Sequence, residues 1–184
     1  MKKYMLTPLL LVSIFTNAQD VSVEKSTYGI QTGLLGVWVH NESKLSNSIA
    51  LRSELGFDAG FWLNDLYDVN GFIMAAVITA EPRWYYNLNK RKNKSRRTDG
   101  NSGNFLSLKT SYHPDWFVIS NVNNVQIRSD FSIIPTWGIR RNVGKHFTYE
   151  SGIGIGYQYF FSNQNTTTNS QLTLNLHLRL GYRF

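Results

Sequence analysis

His113 is the histidine of this chain that is flanked by other side chains typical of catalytic sites. Ser111 precedes it and Asp115 follows it, each two residues away, with Pro114 between His113 and Asp115. A serine, a histidine and an acid perform nucleophilic catalysis, but a triad is defined by geometry and not by spacing along the chain. None of the four histidines has an i, i+4 or two-apart histidine partner, so the sequence predicts no metal site.

The segment from Lys90 to Arg97 is the most strongly charged part of the chain. Six of its eight residues are basic, and it is flanked by asparagine and glycine. Such a run can bind an anionic lipid surface, where each cation contributes on the order of 1 kcal/mol, or an anionic polymer. The alternative interpretation is an ordinary solvated turn.

The composition limits the chemistry further. The chain has 184 residues, no cysteine, and 19 Lys and Arg against 12 Asp and Glu. Without cysteine there is no disulfide framework, no thiolate zinc site and no thiol catalysis. A Gly-x-Gly motif at Gly152–Gly156 lies inside an alternating segment with no helix after it, so it does not indicate a nucleotide-binding loop.

The segment from Leu172 to Phe184 predicts the secondary structure that must position these side chains. Strict alternation over these 13 residues indicates a β-strand with one apolar and one polar face. The apolar positions are Leu172, Leu174, Leu176, Leu178, Leu180, Tyr182 and Phe184. The polar positions are Thr173, Asn175, His177, Arg179, Gly181 and Arg183.

Further segments repeat this pattern, and no helix is predicted between them. Tyr28–Asn41 is also strand-like, but its alternation slips near Leu34 and Leu35, which predicts a β-bulge beside Gly33 and Gly36. With Leu172–Phe184 and the five segments named below, this makes seven strand-like segments. Bacterial single-chain membrane barrels have an even number of strands, so we predict eight. We expect the eighth in the N-terminal segment or between Phe57 and Ala76. The five other segments are Ile49–Phe61, Ile78–Leu88, Phe105–His113, Gln126–Arg140 and Phe147–Phe161.

The first residues are typical of a secretory signal. Lys2 and Lys3 precede a largely apolar run from Met5 to Phe15, and small residues lead to Ala18. We expect cleavage after Ala18, which leaves residues 19–184 as a single domain. No later segment has the length of a membrane-spanning helix. If the exported chain enters a membrane, it does so with strands.

The two faces of the strands differ in a way that favours a transmembrane barrel over a soluble barrel or sandwich. A soluble protein turns its charged face to water, and that face is expected to be rich in Lys and Glu. Here the polar face mixes glycines with charges that can pair, as a filled lumen requires, and the apolar face is uniformly large and ends in aromatics.

Ten charged residues on the polar faces are candidates for a charge network inside the lumen. The interior of an eight-stranded barrel is just wide enough for side chains to fill it, and buried charges must be paired. We therefore predict a structural salt-bridge core, with a water-filled conduit as the alternative. The ten residues are Arg52, Glu54, Asp58, Glu81, Arg83, Arg128, Asp130, Arg140, Glu150 and Arg179.

The signal sequence, the alternating strands and the final run Leu178–Phe184 together resemble the small outer-membrane β-barrels of Gram-negative bacteria. Glu81–Leu88 also resembles a segment of uncharacterised members. The resemblance implies location in the outer membrane and contact with its lipids and lipopolysaccharide. It further implies that Tyr182 and Phe184 form the signal that the barrel-insertion machinery reads. No activity is implied.

The sequence thus predicts an all-β, antiparallel, up-and-down transmembrane β-barrel of eight strands, monomeric, with both termini in the periplasm. We expect no cofactor and no metal. We also expect no nucleic-acid partner, because the signal sequence takes the chain out of the cytoplasm. The function expected is a non-enzymatic structural or surface-interaction role. The alternatives are a lipid-modifying outer-membrane enzyme that uses the cluster around His113, and a narrow pore for small solutes.

Overall fold

The computed structural model of the protein describes residues 21–62, 71–122, 125, 127–161 and 169–184. These residues form nine strands, one helix, α1 (Leu88–Asn93), and a 3-10 turn at Asp99–Asn101. The strands are β1 (Ser26–Gly33), β2 (Gly36–Lys44), β3 (Ile49–Trp62), β4 (Gly71–Trp84), β5 (Asn104–His113), β6 (Val118–Ser120), β7 (Asp130–Val143), β8 (Phe147–Phe160) and β9 (Ser170–Arg183).

Eight of the nine strands described close into an antiparallel barrel, as predicted. Their order is β3-β2-β1-β9-β8-β7-β5-β4, and β4 pairs again with β3 along its full length. The short β6 is an additional strand that pairs with the first residues of β4. Closure removes the unpaired strand edges that an open sheet would expose.

The N-terminal segment contains two strands, so the predicted bulge was wrong. β1 and β2 pair from Ser26 with Ser43 to Gly33 with Gly36, and only Leu34 and Leu35 connect them. Gly36 has φ +144°, and a Cβ atom there would lie 2.1 Å from the carbonyl oxygen of Phe57. Two leucines in a two-residue turn lack the Asn-Gly type of signal, so the reversal resembles a slip in one long strand.

The prediction that no helix occurs was also wrong, because the connection between β4 and β5 contains α1 and the 3-10 turn. Among the described residues, no helix is long and apolar enough to cross a membrane. The predicted signal sequence, residues 1–18, lies outside the described residues. The predicted connection Leu63–Asn70 and most of Ser162–Ser170 also lie outside them.

The apolar face of the barrel points outward and the charged face points inward. The five outward leucines of β9, from Leu172 to Leu180, are 59–65% exposed. In contrast, Arg52, Arg83 and Arg140 are 0% exposed. This distribution is the reverse of a soluble β-barrel, whose apolar side chains fill the interior.

The connections lie at two ends of the barrel. We call the end that holds Ser26 and Arg183 the terminal end; the connection of residues 85–103 also lies there. We call the other end the open end; it holds the turn at Leu34–Leu35 and the short β6.

Candidate functional site

Arg52 lies at the centre of the buried charge network in the terminal half of the lumen. Its Nε donates a hydrogen bond to Glu54, its Nη1 donates to Glu150 at 3.2 Å, and its Nη2 donates to the amide oxygen of Gln31 at 2.6 Å. All four side chains are buried, and they belong to β1, β3 and β8. One guanidinium therefore ties together strands that are not neighbours in the barrel.

Arg83 and Arg140 both contact Glu150 as well, and each also binds another glutamate. Arg83 donates to Glu150 at 3.1 Å and to Glu81 at 2.8 Å. Arg140 donates to Glu42 at 2.5 Å, and its Nη1 lies 3.4 Å from Glu150. Glu150 is therefore in contact with three guanidinium groups.

Arg179 completes the network on the side of the open end. Its Nη1 donates to Glu54 at 2.9 Å, and its guanidinium lies 3.8 Å from the centre of the Trp38 ring. Among the described residues, the network then contains four arginines and four glutamates, so its formal charges balance. Because a buried ion pair loses its hydration, removing one partner typically costs about 3–5 kcal/mol.

The structure brings together seven of the ten predicted network residues. They are Arg52, Glu54, Glu81, Arg83, Arg140, Glu150 and Arg179.

Sequence reasoning missed two members of the network, Gln31 and Glu42. Both point inward. Gln31 lies in the segment Tyr28–Asn41, which the sequence predicts as a single slipped strand, and Glu42 directly follows the predicted end of that segment. Alternation read separately on each side of the Leu34–Leu35 turn would have placed them on the inner face.

Arg128 does not join the network, so its predicted placement is corrected. β7 begins at Asp130, and the alternation that points side chains inward does not extend back to Arg128. Its Nη2 donates to the carbonyl oxygen of Phe161 at 3.3 Å, and its guanidinium lies 5.5 Å from the centre of the Phe160 ring.

Asp58 and Asp130, the two other predicted residues, bind His113 near the open end of the lumen. The ring Nδ1 of His113 lies 3.0 Å from Asp130, and its Nε2 lies 3.1 Å from Asp58. The indole of Trp38 also donates to Asp58 at 2.7 Å. Both ring nitrogens can donate only when both carry a proton, so this geometry fits an imidazolium held between two carboxylates.

The structure does not assemble the residues around His113, on which the enzyme alternative depends, into a catalytic group. The hydroxyl of Ser111 lies 2.9 Å from that of Thr79, and the two nitrogens of His113 face Asp58 and Asp130. Asp115 is exposed beyond the end of β5. Since neither ring nitrogen faces Ser111, His113 is not placed to activate it.

Two other inward histidines fill space above glycines. His40 pairs in register with Gly29, and His177 pairs with Gly152. A Cβ atom at either glycine would lie within 3 Å of the imidazole: 2.8 Å from His40 and 2.6 Å from His177. These contacts give His40 and His177 a packing role. Among the described residues, no group of three or more His, Cys, Asp and Glu side chains could hold a metal ion.

A cavity of about 760 Å³ lies near the open end of the barrel. Its lining includes Trp38, Lys109, His113 and His177. Arg179 also lines it, so the charge network forms the floor of the cavity. Its volume lies within the range of small-molecule binding sites.

The terminal end of the lumen is filled by an apolar cluster. Val21 and Val23, which precede β1, pack with Leu88 of the connection and with inward residues of the barrel wall. Phe105 is one of these, and the guanidinium of Arg83 lies 4.2 Å from the centre of its ring. The cluster thus directly adjoins the charge network. Its remaining members are Ala50 and Tyr85.

Residues 21–25 and residues 85–103, which we together call the plug, close the terminal end of the lumen. Hydrogen bonds hold the plug in place. Asn101 donates to Glu42 of the charge network at 2.8 Å and accepts a bond from the backbone N–H of Glu24 at 2.7 Å. The backbone N–H of Gly100 donates to the Glu24 carboxylate. Arg183 of β9 also donates to Glu24, at 3.2 Å.

Tyr182 and Phe184, the predicted insertion signal, lie in an exposed aromatic group at the terminal end. The Tyr182 ring stacks on His146 at 5.0 Å between centroids and meets the edges of Phe147 and Phe184. This arrangement leaves the last residues of the chain accessible on the outer face. Their recognition by an insertion machinery stays a prediction.

Taken together, the interior holds paired charges, a plug and a cavity, and no assembled catalytic group among the described residues. Comparison of the chain with protein-family models, with curated proteins and with solved structures gives no match.

Proposed function

We propose that this chain is an outer-membrane β-barrel with a non-enzymatic structural or surface-interaction role and a lumen that does not conduct. The observation that carries the proposal is the reversal of polarity: leucines cover the outer wall, and arginines are buried inside. Exposure of such an outer wall to water would be unfavourable, since soluble monomers rarely expose apolar patches larger than a few hundred Å². Acyl chains would solvate it.

The side chains on the outer face of β8 support the proposed location in a membrane. From the terminal end to the open end it carries Phe147 and Tyr149, then Ile153 and Ile155, and then Tyr157 with further aromatics beyond it. Aromatic residues at both ends of an aliphatic band are typical of transmembrane barrels, where they lie at the two interfaces. The length of β8, 14 residues, exceeds the 9–11 residues that a tilted strand needs to cross.

The filled lumen favours a structural role over a pore. The network of Arg52, Arg83, Arg140 and Arg179 with their glutamates is almost completely buried, and the plug covers it at the terminal end. A conduit would require water between these groups. The geometry does not favour the enzyme alternative either, because Ser111 and His113 are bound to different partners.

The surface-interaction part of the role is assigned to the open end. In an outer-membrane barrel with periplasmic termini, the open end faces the outside of the cell. The cavity beside His113 and Lys109 would then be accessible to external ligands. Its wall offers carboxylate, ammonium and indole groups, which suit a small polar or zwitterionic molecule.

Detergent dependence and gel migration test this proposal. The purified mature chain should fold in detergent micelles, should migrate differently before and after boiling, and should remain with liposomes after flotation in alkaline buffer. A monomer that stays folded and dissolved without detergent would overturn the proposal.

A further inference from the structure

A second pocket, of about 340 Å³, lies at the terminal end of the barrel. We define the basic pocket by its five cationic residues, Lys90, Arg91, Lys94, Arg96 and Arg141. No Asp or Glu occurs among the described residues that line it. Because neighbouring strand residues point to opposite faces, Arg141 points outward next to the buried Arg140. The basic pocket therefore lies on the outer face, away from the lumen.

Neutral acceptors hold the two partly buried guanidinium groups of the basic pocket. Arg91 donates from Nε and Nη2 to the carbonyl oxygen of Arg97, at 3.1 and 2.9 Å. Arg141 donates to the carbonyl oxygen of Gly103 at 2.8 Å and to the side-chain oxygen of Asn104 at 2.5 Å. These bonds orient the guanidinium groups and leave their charges uncompensated.

The acidic residue of the connection 85–103, Asp99, is engaged elsewhere. Asp99 lies 2.9 Å from Arg97 and 3.4 Å from Arg183, neither of which lines the pocket. Burial and the nearby guanidinium of Arg96 lower the pKa of Arg91, which still leaves an arginine charged at neutral pH. An anion in the basic pocket would relieve this repulsion.

Aromatic residues of the outer wall adjoin the basic pocket. Tyr86 lines it, and the Tyr86 hydroxyl accepts hydrogen bonds from the indole of Trp137 at 2.8 Å and from Asn104 at 3.3 Å. The hydroxyl proton of Tyr86 is thus available for a further acceptor. Trp84 packs beside Tyr86, with the ring centroids 6.0 Å apart. Exposed Trp and Tyr side chains of this kind mark the depth of lipid head groups.

We propose that the basic pocket binds the phosphate group of an anionic phospholipid, whose acyl chains lie along the outer wall beside Trp84 and Trp137. Guanidinium groups match phosphate oxygens in geometry and charge, and the aromatic neighbours distinguish a lipid from free phosphate. The inference rests on the proposed function, because it requires lipid around the barrel. It adds a specific lipid site to that proposal.

Native mass spectrometry of the detergent-folded chain can test the site. Phosphatidylglycerol and phosphatidylcholine are added separately, and bound lipid is counted for the wild type and two variants. The first variant, Lys90→Gln/Lys94→Gln/Arg96→Gln, removes the three exposed cations of the pocket.

The control variant, Lys25→Gln/Lys92→Gln/Lys145→Gln, removes three exposed cations outside it. Both variants lose the same net charge, so a difference between them reports position. Inorganic phosphate is added in a separate arm of the experiment.

We expect the wild type and the control to retain phosphatidylglycerol in preference to phosphatidylcholine. The pocket variant should bind phosphatidylglycerol at least about tenfold more weakly than the wild type. Inorganic phosphate should not displace the lipid. Equal retention of the two lipids, or equal losses in the two variants, would overturn the inference. Displacement by inorganic phosphate would show a free-anion site and would also overturn it. Each measurement uses protein whose gel migration changes on heating, which shows that the barrel is folded. Loss of lipid binding is therefore distinguishable from failure of the barrel to fold in detergent.

Discussion

Glu42 of β2 and Arg140 of β7 meet at 2.5 Å across the full width of the barrel. Their strands are separated by β1, β9 and β8 on one side and by β3, β4 and β5 on the other. Both side chains are completely buried, and the residues are 98 positions apart in the chain. This ion pair can form only when the barrel is closed, so it links the charge network directly to the fold.

The substitution Glu42→Gln should therefore destabilise the barrel strongly. It leaves Arg140 facing a neutral amide and removes one negative charge from a balanced buried network, at a cost of about 3–5 kcal/mol. Unfolding by urea in micelles, followed by tryptophan fluorescence, measures the loss. Glu24→Gln is the matched control, because Glu24 is partly exposed and binds Arg183 at the rim. It should cost about 1 kcal/mol or less, and equal losses would contradict the role of the buried pair.

Gly138 and Phe105 form a second close contact that can be tested. A Cβ atom at Gly138 would lie 2.4 Å from the Phe105 ring, so Gly138→Ala must displace that ring from the apolar cluster that it forms with the plug. We expect a loss of about 1–3 kcal/mol. In a Phe105→Leu background, where the ring is gone, the same alanine should cost less. A double-mutant cycle with no coupling between the two positions would show that the contact is unimportant.

The strands that could be predicted are those in which every position has an unambiguous face. β9 follows its expected segment closely, because leucine alternates with polar residues from Leu172 to Leu180. The β1–β2 hairpin could not be read in this way, since Leu34 and Leu35 occupy a turn that usually contains Gly or Asn. A reversal without turn residues is indistinguishable from a bulge in the sequence alone.

The sequence predicts which side chains of the candidate site face the lumen, but not which of them form ion pairs with each other. Alternation placed Arg52 and Glu150 on the inner wall, whereas their contact depends on how the barrel closes and on its register. The plug left even less signal. Val21 and Val23 are apolar residues outside the predicted strands. Leu88 is the last residue of the predicted strand Ile78–Leu88, but β4 ends at Trp84 and Leu88 lies in α1. The contact between these residues joins segments far apart in the chain.

A charge on the outer wall distinguishes a lipid environment from water. Leu176 lies in the middle of β9, paired in register with Ile153 of β8. In a bilayer, Leu176→Arg should cost about 2–4 kcal/mol, because an arginine at the midplane is poorly solvated. Leu34→Arg is the control, since Leu34 lies in the turn at the open end and near water. It should cost about 1 kcal/mol or less. Refolding into vesicles with urea titration measures both, and equal costs would argue against membrane insertion.

Planar-bilayer recording separates a closed lumen from a pore. The wild type should show no single-channel steps, because buried ion pairs and the plug fill the terminal half of the barrel. The variant Arg52→Ser/Glu150→Ser removes one charge of each sign and two large side chains from the centre of the network. Because the remaining charges stay balanced, this variant should fold and admit water between the remaining groups, which should produce small, brief steps. Regular steps in the wild type would contradict the closed lumen. A silent variant that still shifts on heating would show that the plug alone is enough to block the passage.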